Sequence, residues 1–427
     1  MCNEGNGHRM IIGYACLTVG VLGTKQKNCM MKNASDDVLM NLIQHNLESL
    51  DRILDYNIQN DIKLFRISSD IIPFGSHHVN TLRWWEMFSD ELKKIGYKAL
   101  SNGMRLSMHP GQYTVLNSPD ESVATHAVED LEYHCRFLDS LGLGSEHKIV
   151  LHIGGVYGDK AFAMRRFIQR YRCLNENIRR RLVIENDDRQ YTVSDVLTIS
   201  KSEGIPVVFD NLHHEVNPDN TKSDIEWIAC CRDTWKVQDG PQKLHYSQQD
   251  KGKRLGSHSA TLYVDDFLHF YKRISNKDTD IMVEVKDKNL SAIKCINAIA
   301  SPHIKRLEKE WGRYKYLILE HSPNIYNEIR QLLKDKKTYP VSQFYKLIDE
   351  ALKSPVSAGN AVNAALHVWG YVNNLADDKT KLIFEKNLKK VSQGGSTTSI
   401  KRHLLGLAEI QKQEYLLNSL YLTNMIT

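Results

Sequence analysis

The chain has 427 residues, 41% apolar and 25% charged, with a net charge of +5. That is enough for one large catalytic domain with a smaller second one and a full hydrophobic core, which excludes a disordered chain or a disulfide-stapled miniature. The mild positive charge permits an anionic partner without requiring one.

The eight cysteines (Cys2, Cys16, Cys29, Cys135, Cys173, Cys230, Cys231, Cys295) form no C-x-x-C pair and read as reduced thiols of an intracellular protein. Met1–Arg9 is polar, and the apolar run Met10–Val21 lacks a small-residue cleavage site, so it reads as a strand and loop, not a signal peptide. No stretch approaches the roughly 20 apolar residues of a membrane span. The expectation is a cytoplasmic chain with no membrane contact, and no segment points to a protein partner.

Short apolar, β-branched runs then alternate with stretches whose apolar residues recur every three or four positions. Strand Met10–Cys16 precedes helix Val38–Tyr56, Ile62–Ile67 precedes Thr81–Ile95, Met104–Met108 precedes Val123–Leu141, and Lys148–Ile153 precedes Lys160–Tyr171. Leu182–Glu185 precedes Val193–Ser202, Pro206–Asp210 precedes Asp224–Thr234, Lys243–Ser247 precedes Leu262–Ile274, and Ile281–Val285 precedes Leu290–Ile299. Eight such pairs predict an α/β fold, a (β/α)8 TIM barrel over residues 1–305. An open doubly wound sheet would want a Gly-rich phosphate loop, for which Gly154-Gly155 and Gly394-Gly395 are too short.

From Tyr326 onward the pattern is helical: Ile329–Leu333, Phe344–Leu352, Ala361–Leu375, Lys381–Lys390 and Ile400–Asn418. Breaks fall at Thr338-Tyr339-Pro340, Ser354-Pro355 and Gly394-Gly395-Ser396, so residues 320–427 are expected to form an additional C-terminal α-helical domain.

In a barrel of this kind the reacting groups sit where strands end. Those ends carry His109, His152, Glu185, Asp210 with His213 and His214 beyond it, Lys243 and His245, His258 in the following loop, and Glu284. Burying so many imidazoles and carboxylates together is costly unless something neutralises them, and divalent metals do so directly. Mixed nitrogen and oxygen ligands suit Zn²⁺ or Mn²⁺ better than Ca²⁺, and they are too many for one ion. Closely spaced metals clamp the attacking and leaving oxygens of phosphodiester hydrolysis. Arg179-Arg180-Arg181, ahead of the fifth strand, reads as a solvated face.

The segments SSDIIPFGSH (Ser68–His77), LSMHPGQY (Leu106–Tyr113), IENDDRQYT (Ile184–Thr192), FDNLHHEVNP (Phe209–Pro218), KLHYSQQ (Lys243–Gln249) and EVKDK (Glu284–Lys288) resemble those of the UV damage endonucleases, relatives of endonuclease IV. The likeness runs from Met10 to Ser301, and PVSQFYKLIDEAL and GNAVNAALHVWGY resemble the C-terminal extension of some bacterial members. The resemblance implies a DNA-repair endonuclease that cuts immediately 5′ to ultraviolet photoproducts, with abasic sites as further substrates. It implies three divalent metal ions, Mn²⁺ ahead of Zn²⁺ or Mg²⁺. His109 and His152 would hold one metal and share Glu185 with a second, completed by Asp210, His245 and Glu284. His213 and His258 would hold the third. Endonuclease IV has an aspartate where this chain has Gly256. The family's answer is a carboxylated lysine, here Lys243, and His77 would lie near the scissile phosphate.

Gln112 and Tyr113 would probe the lesion by wedging into damaged double-stranded DNA. Tyr14 would stack on a flipped base, while Thr18 stands where the family tends to have asparagine. Lys160, Lys251, Lys253, Arg254 and Lys286 are candidates for phosphate binding. Three rivals remain: an endonuclease IV-type abasic-site enzyme, a metal-dependent sugar isomerase on the same barrel, and a non-catalytic binding protein.

Overall fold

The computed structural model describes residues 10–274 and 278–424. Cys2 and the polar stretch Met1–Arg9 lie outside the described residues; the other seven cysteines are free thiols. Eight parallel strands close in chain order into a barrel: β1 (Ile12–Ala15), β2 (Leu64–Ile67), β3 (Arg105–Met108), β4 (Ile149–His152), β5 (Leu182–Glu185), β6 (Val207–Asp210), β7 (Lys243–Tyr246) and β8 (Asp280–Val283). Both faces of each strand are covered, which is why the strands read as near-continuous apolar runs. Two interior clusters fill the barrel, Ala15 with Leu64 and Met282, and Val150 with Val183 and Val208. Gly13 pairs with Leu64, and a Cβ there would lie 1.6 Å from the Leu64 carbonyl oxygen, so β1 and β2 approach this closely only around a glycine.

Below the apolar layers, at the N-terminal ends of the strands, buried ion pairs close the barrel floor. Arg105 donates to Asp280 at 2.9 Å and Lys148 to Asp239 at 2.6 Å. The connecting helices start on polar caps: Asp120 accepts from the amides of Ser122 and Val123, and Ser223 with Glu226 forms a capping box. The expected helix Thr81–Ile95 is two, Trp84–Met87 and Ser89–Ser101.

Arg181 departs from the expected solvated face. It is fully buried, donating to Asp139 at 2.6 Å and to the carbonyls of Leu143, Gly144 and His147. Arg180 is exposed as expected of the run. The triplet runs into β5, and its last guanidinium satisfies carbonyls of the Leu143–His147 turn. Arg181→Ala is expected to destabilise the fold by about 3 kcal/mol or more, since it strands those acceptors and Asp139. Urea unfolding checks this, and a loss under about 1 kcal/mol would contradict it.

Cα packing separates a second compact unit, Thr18–Gly23, Tyr263–Leu268 and Lys294 onward. Its helices include Ile304–His321, Pro323–Leu332, Val341–Lys353, Ala358–Trp369, Asp378–Ser392 and Thr398–Ile410. Leu307, Ile318, Phe344, Ile348, Ala364, Val368 and Leu404 form its buried interior. Gly20, at φ +69°, meets Leu420 so closely that a Cβ would lie 2.6 Å from it. Among the described residues no helix is long and apolar enough to cross a membrane.

Candidate metal centre

Alternation along the strands decides which side chains point inward. Glu185 ends β5, buried, and four imidazoles converge on its carboxylate. His245 Nδ1 lies 2.6 Å from Oε1, His109 Nε2 3.2 Å and His152 Nε2 3.6 Å from Oε2, and His213 Nδ1 3.9 Å from Oε1. Asp210, fully buried at the end of β6, lies 3.9 Å from His213, and Glu284, just past β8, lies 3.2 Å from His245. Three groups have ligand atoms within 4.8 Å of one another: His109, His152 and Glu185; Glu185, Asp210 and His213; and Asp210, His245 and Glu284. Glu185 and Asp210 each belong to two groups, the arrangement bridging carboxylates need.

Burial alone would raise the Glu185 carboxyl, but the surrounding imidazoles, His245 first, hold it well below the usual range. Asp210 goes the other way, because burial outweighs the attraction of His213. Burial lowers His109 and His152. His213 is pushed up to about 9, since Asp210 and Glu185 outweigh its burial. His152 Nδ1, Asp210 Oδ2 and His245 Nε2 are buried without a protein hydrogen-bond partner. Buried polar atoms are rarely left so, and three within one cluster of metal-ligand type fit divalent metal ions.

A surrounding layer holds these groups in place. The Asn186 side chain donates to the Asp210 carbonyl and accepts from the Asp210 amide, while its carbonyl accepts from His213 Nδ1. Ser69 donates to the His109 carbonyl. Arg66, on β2, donates to Glu284 at short range. Glu284 is thereby held low, with burial opposed by Arg66 and then His245. Asn186 stands within the motif IENDDRQYT, whereas Arg66 stands outside all of the family motifs; its signal in the sequence is an arginine in phase with Leu64, which points inward.

The UV-endonuclease UvdE family model matches residues 11–312, and a family described as a protein of unknown function (DUF1722) matches residues 315–425. The chain is 43% identical over 351 residues to the UV DNA damage endonuclease of Clostridium perfringens (strain 13 / Type A), covering 81% of this chain and 84% of that protein. It is 33% identical over 282 residues to the UV DNA damage endonuclease of Bacillus cereus (strain G9842), covering 65% of this chain and 88% of that protein. The crystal structure of SacUVDE aligns with a TM-score of 0.65 at 39% identity, covering 70% of this chain and 99% of that one. The chain belongs to the UV-endonuclease UvdE family. Membership sets aside the sugar isomerase and the non-catalytic binding protein.

The remaining candidates of this UvdE chain lie around or below the cluster. His258 stands outside the three groups, its Nδ1 facing the Ser247 hydroxyl at 2.9 Å and the Glu284 carbonyl. His77 also lies outside them, half-buried against Phe74 and His78; burial, then His78, lowers it. Lys243 is buried, and burial with Arg105 and Arg66 drives its amine well below the ordinary lysine range. Gly256 sits at φ +84°, in a turn whose amide donates to Gln249, so an aspartate there would be strained.

Gln112 and Tyr113 stand at an exposed loop tip after β3, with Tyr113 83% exposed. Thr114 anchors the loop by donating to Asp130 at 2.6 Å. Tyr14 must be corrected. It is fully buried within β1, its hydroxyl donating to Asn57 and its ring meeting Phe65 edge-on. Ala15 next to it points into the barrel, so Tyr14 points to the helix side and cannot reach a flipped base.

The basic candidates divide. Lys160 is paired with Asp195 at 2.8 Å. Lys253 and Lys286 lie 3.7 Å from Asp250, and Lys251 and Arg254 are exposed on the same loop. That loop is closed by a bridge between Gln249 and His258, so its basic tip is tied to a candidate ligand.

Proposed function

We propose that this DNA-repair endonuclease incises duplex DNA immediately 5′ to cyclobutane dimers and 6-4 photoproducts, and also at abasic sites, at a centre of three divalent metal ions with Mn²⁺ foremost. The observation that carries the reading is that Glu185 and Asp210 each belong to two ligand groups at the C-terminal mouth of the barrel, in a chain of this family. Its place of action follows from its substrate: the cytoplasm, at the nucleoid.

Metal ions bound there would activate the attacking water and neutralise charge on the phosphate and the leaving 3′-oxygen. His109 and His152 would hold one ion, with Glu185 bridging to the next. Asp210, His245 and Glu284 would complete the second position, while Asn186 fixes the Asp210 backbone and Arg66 orients the Glu284 carboxylate. His213 and His258 would serve the third. The Ser247 hydroxyl at His258 Nδ1 leaves the other ring nitrogen for it. Lys243 suits carboxylation, because a buried carbamate would face two guanidiniums where an ammonium would be repelled. His77 would stand by the scissile phosphate. Gln112 and Tyr113 would probe the lesion, and Lys251, Lys253, Arg254 and Lys286 would hold the backbone, joined by Lys160 once it leaves Asp195.

The deciding experiment is incision of an end-labelled, ultraviolet-irradiated duplex with Mn²⁺, beside an abasic duplex and an undamaged one. Cutting 5′ to the lesion that stops when metal is chelated is expected. Metal-independent cutting, or none of the irradiated strand, would overturn the reading. Duplex affinity should also fall steeply with salt, with a log–log slope of at least about −2, because each neutralised phosphate contributes about −0.9. A flat response in a filter-binding titration would count against a DNA substrate.

A further inference from the structure

We infer that the C-terminal helical unit carries a second DNA-contact surface, on the exposed face of the helix Asp378–Ser392 and the start of the helix Thr398–Ile410, which holds the phosphate backbone of the DNA that the barrel cuts.

Charge partition is the first observation. Residues 315–427 carry fifteen Lys and Arg against ten Asp and Glu, an excess of five that equals the net +5 of the whole chain. The chain before residue 315 is therefore balanced. Within residues 377–402 the ratio sharpens to seven basic residues against three acidic ones.

The second observation is where these charges lie. The helix Asp378–Ser392 packs through Phe384 and Val391, both buried and seven residues apart. Lys379, Lys386 and Lys390 recur at spacings of seven and four, on the opposite side, and are exposed along with Lys389. The row from Lys379 to Lys390 is about 16 Å long at the helical rise. Arg402 adds an exposed cation on the next helix. By contrast, Lys401 is occupied with Glu320 at 2.6 Å.

The third observation separates nucleic acid from other polyanions. On the flank of the same helix that carries Phe384 lies a groove of about 630 Å³ lined by Trp369, Asn373, Asn374, Lys381, Phe384, Glu385 and Leu388. Trp369 and Phe384 stack at 4.1 Å with 6° between their planes. Half-buried Trp369 and the cation Lys381 match a flat base or sugar beside a phosphate, and the Glu385 carboxylate suits the N–H donors of a base edge. An anionic lipid surface presents no such group. Because this surface is tethered to a nuclease, a modest affinity acts at a high effective concentration and retains the enzyme on the duplex between encounters with damage.

The test uses the full-length chain with Lys386→Gln, Lys389→Gln and Lys390→Gln together. Circular dichroism and bound metal should match the parent. At about 0.1 M salt its affinity for an undamaged duplex is expected to fall roughly tenfold or more, and its salt slope to become shallower by about 2 to 3. A paired Lys334→Gln, Lys337→Gln control, exposed elsewhere in the same unit, should keep the parent affinity. A folded triple variant with unchanged duplex affinity and slope would overturn the proposal. So would a control that loses as much as the triple, or a triple that loses only RNA or anionic-vesicle binding.

Discussion

Glu185→Ala is expected to abolish incision and strip bound metal while the barrel still folds. The carboxylate is buried and stands within 3.9 Å of four imidazoles, so no other side chain of the cluster touches as many partners. Losing an outer partner of a metal ligand already costs roughly 10- to 100-fold. A carboxylate shared between two ligand groups should cost at least about a thousandfold in kcat/KM. Folding is a separate matter, because Glu185 serves the mouth of the barrel while the clusters around Val183 and Met282 lie beneath it. Far-UV circular dichroism and thermal melting of the apoprotein should stay near the parent, and metal content after dialysis should drop. Glu185→Gln keeps the volume and removes the charge, so it should lose metal as well. Near-normal cutting or full metal content in either variant would remove the bridging assignment.

The barrel was legible because its strands obey a simple rule. Strands buried on both faces show as apolar runs, and the last inward residue of each run is where chemistry gathers. His109, His152, Glu185, Asp210, His245 and Glu284 all stand at or just past such ends, and the structure gathers them within reach of one another. What escaped depended on the partner across the barrel. Arg66 looks like one cation among the apolar residues of β2 until ring closure brings Glu284 to it. Tyr14 departs from its expected role because an apolar run does not show which of its residues face inward: Gly13 and Ala15 fix the inward phase, and that turns Tyr14 outward to Asn57. Arg181 shared its run with two other arginines, and only the turn Leu143–His147, distant in sequence, shows why it is buried. In the second unit the helix Ile304–His321 went unassigned, with Gly312 at its middle and charges throughout, although Leu307, Tyr314, Leu317 and Ile318 keep helical spacing.

Gln112→Ala with Tyr113→Ala is expected to leave metal binding intact and to cut incision of a photoproduct duplex by roughly 10- to 100-fold. Reaching a photoproduct requires unstacking, which costs a few kcal/mol, and a wedge offsets part of it by replacing lost stacking with its own contacts. An amide and a phenol ring on a loop tip suit that role, and Tyr113 stands 83% exposed there. With Tyr14 buried, the wedge stands without help from β1, which raises the share of the work that falls on this loop. Neither residue belongs to the ligand groups, and Thr114 keeps the loop anchored to Asp130 in their absence. An abasic duplex already lacks a base and needs less unstacking, so its incision should fall less. The comparison is of single-turnover rates on the two duplexes at matched salt, with metal content measured alongside. Equal loss on both would assign the loop to general positioning of the strand. No loss on either would leave it a structural loop and end the lesion-probing role.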